Sequence, residues 1–185
     1  MPIQVYSFYI FDRHTECIYS KQWHARTPLP AAAPTTTTSL TSPPPSRPQS
    51  QQPSHPSHPS TTTIPSALSA ASKRKLDDDA KLIFGTVFSL RNMVRKLGSE
   101  DDAFIAYRTA HYKLHYYETP TNLRFAMLTE PGALSMRNVL HQIYINLWVE
   151  YVVKNPLSPV EHKGGEGVKN EMFEMGLDKF VRGLM

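Results

Sequence analysis

The chain has 185 residues, a length that predicts a single domain. Its formal net charge is +4 and its isoelectric point is about 9.2, without a long basic stripe. This argues against nucleic-acid binding, whereas an anionic membrane or an acidic protein partner fits the charge equally well. A single cysteine, Cys17, excludes an internal disulfide and gives no reason to expect secretion.

The N-terminal residues predict a strand rather than a targeting segment. Residues 1–4 lack a basic n-region, and the apolar run that follows is broken by Asp12 and Arg13. Since no stretch approaches the roughly 20 apolar residues of a spanning helix, we expect the protein to be cytoplasmic or held at a membrane by partners.

Two apolar segments at the start of the chain predict a β-hairpin. Ile3 to Phe11 is almost continuously apolar or aromatic, which is typical of a strand buried on both faces. Asp12 to Thr15 supplies a turn, and Cys17 to Trp23 reads as the returning strand.

The composition changes completely between residues 26 and 72, where eleven of the sixteen prolines lie among Ser, Thr, Ala and Gln. Such a segment cannot bury enough apolar surface to offset its ordering entropy, so it is predicted to be disordered. The composition of this segment would suit a ligand for a proline-recognising module or a phosphorylation platform. We favour the simpler interpretation that it is a tolerated surface insertion. Closing this longer loop costs only about 2 kcal/mol more than a short one. Residues 1–25 and 73–185 are therefore expected to form one domain.

A helix is predicted after the insertion, with Lys73–Lys75 as a solvated flank rather than a nuclear signal and Asp77–Asp79 in the first turn. It ends at Leu97, where Gly98 is expected to adopt a left-handed conformation. One face carries an apolar stripe, which Phe84 and Phe88 widen: Ala80, Ile83, Val87, Leu90, Val94 and Leu97. The opposite face carries Lys81, Ser89, Asn92 and Arg95.

Three closely spaced segments then predict an antiparallel meander: Phe104–Thr109, Tyr112–Glu118 and Leu123–Leu128. The second has bulky side chains on both faces, which predicts a strand in the middle of the sheet. Tyr112, Leu114 and Tyr116 share one face, and Lys113, His115 and Tyr117 share the other. Pro120 fits the turn that ends it.

The last part of the chain predicts two helices. The first spans Leu134 to Lys154 and is apolar almost all round, which indicates that it is covered on more than one side. We expect another protein to cover its second side. The final amphipathic helix includes Val168, Phe173 and Leu184. The predicted class is therefore α+β, with the order β-β-α-β-β-β-α-α and an antiparallel five-stranded sheet between helices.

No catalytic, cofactor or metal site is predicted. His115 and Glu118 lie on opposite faces of one strand, so they cannot share a proton or a metal, and His111 lies outside that strand. Cys17 lacks the spacing of a zinc site. Gly164–Gly167 lacks the context of a phosphate-binding loop.

The segment Tyr112–Thr121 closely resembles the signature of the first-subunit family of the trafficking protein particle (TRAPP) complex, within the longin or SNARE-like (sedlin-type) class. The resemblance covers almost everything outside the insertion. The further matching segments, in chain order, are Phe8–Arg13, Trp23–His24, Leu82–Gly85, Phe88–Arg91, Val139–His141, Ile143–Tyr144, Val149–Pro156 and Leu177–Arg182.

This resemblance implies a longin-like α/β/α sandwich and a non-catalytic core subunit of a vesicle tether in transport from the endoplasmic reticulum to the Golgi. It implies a second longin-type subunit as partner, together forming the platform for nucleotide exchange on a Rab GTPase. It also implies peripheral association with cis-Golgi and endoplasmic reticulum membranes through the complex. The candidate GTPase or partner contacts are Lys81, Arg91, Asn92 and Arg95.

Two features depart from the family pattern. The insertion 26–72 is absent from the compact family, and His14-Thr15 stands where an Asn-Gly-like pair is expected in the first turn. Neither affects the predicted core. The alternative function is a longin-type regulator of a SNARE or of a coat adaptor.

Overall fold

The computed structural model describes residues 2–24, 65–99, 102–159, 161–162 and 167–185, with side chains of the first helix described from residue 74 onward. The predicted order of strands and helices is confirmed. The elements are β1 (Val5–Phe11), β2 (Cys17–Gln22), α1 (Pro65–Leu97), β3 (Ala106–Arg108), β4 (Lys113–Glu118), β5 (Arg124–Thr129), α2 (Arg137–Ile143), a π-helical segment (Tyr144–Val153) and α3 (Glu171–Arg182).

The five strands form one antiparallel sheet in the order β2-β1-β5-β4-β3. The three predicted antiparallel connections, β1–β2, β3–β4 and β4–β5, are present, and β5 pairs with β1 to join the first hairpin to the meander. The central strand is therefore β5, while β4 lies one position away, between β5 and the short edge strand β3. The prediction that β4 is an interior strand is confirmed, although it is not the middle one.

Both faces of the sheet are covered by helices, as the two-sided apolar pattern predicts. Because successive strand residues point to opposite faces, β1 sends Phe8 and Ile10 to one side and Tyr9 and Phe11 to the other. The first side packs against α2, the π-helical segment and α3. The second side packs against Ala80, Ile83 and Val87 of α1, together with Leu114, Tyr116, Ala126 and Leu128 of the sheet.

The ends of α1 differ from the prediction. The helix begins at Pro65, so Asp77–Asp79 do not lie in its first turn, and its start falls within the range assigned to the insertion. Residues 25–64 lie outside the described residues, so the predicted disorder stays a prediction. At the other end Leu97 is exposed rather than part of the buried stripe. Gly98 does not adopt positive φ; instead, a Cβ there would collide with the carboxylate of Asp102.

The long second helix is divided into two backbone geometries. It begins at Arg137 rather than Leu134, and it continues as a π-helix over Tyr144–Val153, whose backbone bonds span five residues, as in the bond from Lys154 N–H to the Val149 carbonyl. α3 of the same chain packs on one further side of this helix, while Ile145 and Val153 remain exposed, so cover by another protein stays a prediction. Trp148 meets Phe173 edge to face, with ring centroids 5.8 Å apart.

Close packing of α3 on this segment depends on Gly176. A Cβ at this position would lie 3.0 Å from a Leu147 methyl carbon and 3.6 Å from the Tyr151 ring. The Asn170 side chain caps α3 by accepting hydrogen bonds from the backbone N–H groups of Met172 and Phe173. The helix is therefore fixed at its start and against its neighbour.

Candidate interaction surface

The outward face of α1 brings together three of the four residues predicted to contact a GTPase or another partner. Lys81 and Arg95 are exposed and Asn92 is half-buried. Lys81 lies 3.9 Å from Asp78, a distance at which an exposed pair contributes little. No acidic residue occurs between residues 80 and 99, so the face is basic along this length.

Apolar side chains interrupt this basic face. Leu82 is largely exposed, and Phe88 and Met93 are each about half exposed. Phe88 stacks on Phe84 with ring centroids 6.0 Å apart. A Cβ placed on Gly85 would meet no atom within 4 Å. The face therefore offers apolar contact area, positive charge and one position with open space beside the backbone.

Arg91, the fourth predicted contact residue, has an internal partner. Its Nε and Nη2 donate to the two carboxylate oxygens of Glu118 at 2.7 and 3.0 Å, and Arg124 also donates to Glu118 at 3.3 Å. Burial opposes ionisation of Glu118, but the hydrogen bonds and charges of the two guanidinium groups outweigh it and lower its pKa. The pair fixes α1 to β4, so a surface role for Arg91 stays a prediction.

The side chain of His115 is buried on the face of the sheet that α2 covers, opposite the face that α1 covers. Its Nδ1 accepts a hydrogen bond from the backbone N–H of Met136 at 3.3 Å, so the proton belongs on Nε2, which lies 2.9 Å from Thr129 Oγ1. Burial, followed by the charge of Lys113, lowers the His115 pKa to about 4. The imidazole is therefore neutral and holds the start of α2 on the sheet.

The structure does not bring His111, His115 and Glu118 together, because His115 faces α2 and Glu118 faces α1. Among the described residues, no group of three or more His, Cys, Asp or Glu side chains is placed to hold a metal ion. Burial raises the pKa of the Cys17 thiol to about 11, so it is a poor nucleophile. Within the same described part of the chain, no helix is long and apolar enough to cross a membrane.

A cavity of about 330 Å³, hereafter the end cavity, was not predicted from the sequence. It lies where the β1–β2 turn, the β4–β5 turn and the end of the π-helical segment meet. Its apolar wall includes Ile18, Leu123 and Trp148, and the ion pair between Arg13 and Glu161 also lines it. These residues are far apart in the chain, so no local pattern signals the cavity.

The Sybindin-like family matches residues 5–184 of this chain. The chain belongs to the Sybindin-like family. Its relatives include the transport protein particle subunit bet5 of Schizosaccharomyces pombe, which is 40% identical over 97% of each chain. Trafficking protein particle complex subunit 1 of Homo sapiens is 34% identical over 97% of this chain and 93% of its own length. The predicted resemblance to the first TRAPP subunit is thereby confirmed.

A more distant relative is subunit 4 of the trafficking protein particle complex of Dictyostelium discoideum. It is 21% identical over 58% of this chain and 78% of its own length. The match to the Sybindin-like family extends from β1 to the end of α3. This match does not by itself assign a partner to any surface of the chain.

Proposed function

We propose that this protein is a non-catalytic core subunit of a TRAPP vesicle-tethering complex. The observation that carries this proposal is the likeness to named TRAPP subunits over nearly the whole of both chains. It acts by binding other proteins, including a second longin-type subunit. It works in the cytoplasm and reaches endoplasmic reticulum and cis-Golgi membranes peripherally, through the complex.

Within that complex, the outward face of α1 forms part of the platform for nucleotide exchange on a Rab GTPase. The chain itself carries out no bond chemistry; several subunits together displace the switch regions that hold the nucleotide. The basic charge of Lys81 and Arg95 suits an acidic partner surface and mainly raises the association rate. Phe88 and the open space beside Gly85 suit close apolar contact.

Complex membership is tested by co-expressing the tagged chain with the other subunits of its complex and measuring assembly by size-exclusion chromatography. We expect stoichiometric co-elution with a second longin-type subunit. Recovery of a SNARE or a coat adaptor in place of TRAPP subunits would instead support the alternative longin function and overturn the proposal.

The role of α1 is tested with Lys81→Glu and Arg95→Glu together, in the assembled complex, by release of fluorescent nucleotide from the Rab GTPase. We expect slower exchange, with the larger deficit at low salt. Arg91 is left intact because its pairing with Glu118 stabilises the fold. Unchanged exchange at both low and physiological salt, with intact assembly, would remove this face from the mechanism.

A second variant separates contact from folding. Gly85→Arg adds a long side chain where the structure has open space, so the fold is expected to remain intact. If the partner approaches the helix closely at this position, the added side chain blocks it and slows exchange. Gly85→Ala is the matched control, because it adds little volume and favours the helix by up to about 1 kcal/mol.

A further inference from the structure

The outward face of the π-helical segment carries apolar side chains that remain exposed. Ile145, Val149 and Val153 follow at intervals of four, and residues four or five apart share a face when backbone bonds span five residues. Ile145 is 42% exposed and Val153 is 62% exposed, and Leu157 in the following turn is 91% exposed. We call these four residues the outer stripe.

The outer stripe leads into the end cavity. Val153 itself lines the cavity, and so does Ser158, the immediate neighbour of Leu157. The deeper wall includes Trp148, which is buried against the sheet and α3. A recess of about 330 Å³ with one apolar wall, beside exposed apolar residues, has the size of a pocket that takes an anchoring side chain from a partner.

Two basic side chains at this surface are paired within the chain. Lys154 donates to Glu150 at 2.5 Å, and Arg13 pairs with Glu161 beside the cavity. Among the described residues, Lys154 beside the stripe and Arg13 in the cavity lining are thus both paired with carboxylates, whereas helices that bind anionic membranes carry an excess of Lys and Arg on the polar face. An apolar surface bordered by neutralised charges instead suits an apolar protein segment, with the ion pairs excluding water at the edge.

We propose that the outer stripe and the end cavity together form a docking surface for a neighbouring subunit of the complex. That subunit contributes an apolar segment that lies along Ile145 and Val153 and inserts one aliphatic or aromatic side chain into the cavity. This surface lies in the α2–α3 layer, on the opposite side of the sheet from α1, so it is separate from the face assigned to the GTPase. The inference rests on the proposed function as a complex subunit.

The first test introduces charge or bulk at this surface in the co-expressed complex. Val153→Asp places a charge on the stripe, and Ser158→Trp obstructs the cavity without adding charge. We expect each to weaken incorporation of the chain by about tenfold or more, measured by titration into the remaining subunits. The matched control is Met175→Glu on α3, at a 67% exposed residue near Lys21, which is expected to change incorporation by less than about twofold.

Thermal unfolding of each isolated variant checks that the fold is intact, since these side chains contribute little to the core. Failure of the unmodified chain to enter the complex would contradict the proposed function. Normal entry of the unmodified chain together with normal entry of Val153→Asp and Ser158→Trp would contradict only the docking surface.

A second measurement needs no disruptive substitution. In a Cys17→Ser background, Leu157→Cys and Met175→Cys are labelled with a maleimide, in the dilute isolated chain and in the assembled complex. We expect assembly to slow labelling at position 157 by at least about tenfold and to leave position 175 unchanged. Equal labelling at position 157 in both samples would overturn the inference. Protection already present in the isolated chain would overturn it too, because the chain's own insertion or a second copy would then cover the surface.

Discussion

Arg91 of α1 donates two hydrogen bonds to the carboxylate of Glu118 at the end of β4, at 2.7 and 3.0 Å. Both side chains are less than one-fifth exposed, and Arg124 of β5 approaches the same carboxylate. Arg124 also donates to the backbone carbonyl oxygen of Asp12 in the first turn. The Glu118 carboxylate thus links α1 to β4 and β5, and Arg124 extends the link to the first turn.

Glu118→Gln is therefore expected to destabilise the isolated domain by about 2 kcal/mol, because it leaves two half-buried guanidinium groups without their counter-charge. Urea unfolding measures the change. Arg95→Ala is the control, since Arg95 is exposed, and should alter stability by less than about 0.5 kcal/mol. If Glu118→Gln lowers the free energy of unfolding no more than the control does, the pair of Arg91 and Glu118 contributes little to stability.

The strands could be predicted because each has a local signal. Alternation along β4 separates Leu114 and Tyr116 from His115 and Tyr117, and the short connection at Pro120 forces an antiparallel neighbour. The composition of the sequence does not predict the start of α1, because its first turns adjoin the Pro-, Ser- and Thr-rich segment whose overall composition predicts disorder. Pro65 is nevertheless a favourable first helical residue, and several alanines follow it. That signal was available in the sequence.

The candidate surfaces could be predicted only in part. The exposed positions of Lys81 and Arg95 follow from helical periodicity, which is a local property. The pairing of Arg91 with Glu118 and the end cavity depend on residues that the fold brings together from distant positions. The cover of the π-helical segment by α3 likewise depends on how two amphipathic helices pack, and no pattern within either one specifies this.

Thr15 in the β1–β2 turn has φ of 76°, a left-handed conformation that is unfavourable for a β-branched residue. Thr15→Gly should remove a backbone strain of about 1–2 kcal/mol from the folded state. The greater conformational freedom of glycine in the unfolded chain should lower the free energy of unfolding by up to about 1 kcal/mol. We expect a net stabilisation of about 0.5–1 kcal/mol by thermal or urea unfolding. Asn122→Gly is the control, because Asn122 tolerates its φ of 61° and should gain nothing. Destabilisation by Thr15→Gly would mean that the threonine side chain stabilises this turn.

Trp23 anchors the end of the first hairpin to α3. Its Nε1 donates to Asp178 Oδ1 at 2.7 Å, and this bond, ahead of the nearby Lys21 and Arg182 charges, lowers the pKa of Asp178. Trp23→Phe should therefore raise the Asp178 pKa towards its ordinary value and cost about 1 kcal/mol of stability. Carboxyl-detected NMR titration measures the first effect. An unchanged Asp178 pKa would assign the shift to Lys21 and Arg182 instead.

The insertion is expected to be dispensable for assembly, because the matched core elements lie outside it. Since α1 begins at Pro65, the deletion that tests this should remove residues 28–64 and leave the whole helix. The shortened chain should enter the co-expressed complex as well as the full chain does. Loss of assembly, with a normal thermal transition of the isolated variant, would identify the insertion as a binding element.

His115 is expected to make folding stability depend on pH. In the unfolded chain the imidazole titrates near 6.5, whereas burial and Lys113 lower the folded pKa to about 4. The unfolded state therefore binds more protons between these values, so stability falls as pH decreases from about 7 to 4. The full difference corresponds to about 3 kcal/mol, which is present above pH 7 and lost at pH 4.

His115→Asn isolates this contribution from the carboxylates that titrate in the same range. The variant should be less stable at pH 7, because the hydrogen bonds to Met136 and Thr129 are weakened. Its stability should, however, fall less steeply with acid, so that the difference from the unmodified protein shrinks by about 3 kcal/mol between pH 7 and pH 4. Urea unfolding at half-unit pH intervals measures both curves. Parallel curves would show that His115 titrates alike in the folded and unfolded states, and that the buried neutral imidazole is not what makes the fold sensitive to acid.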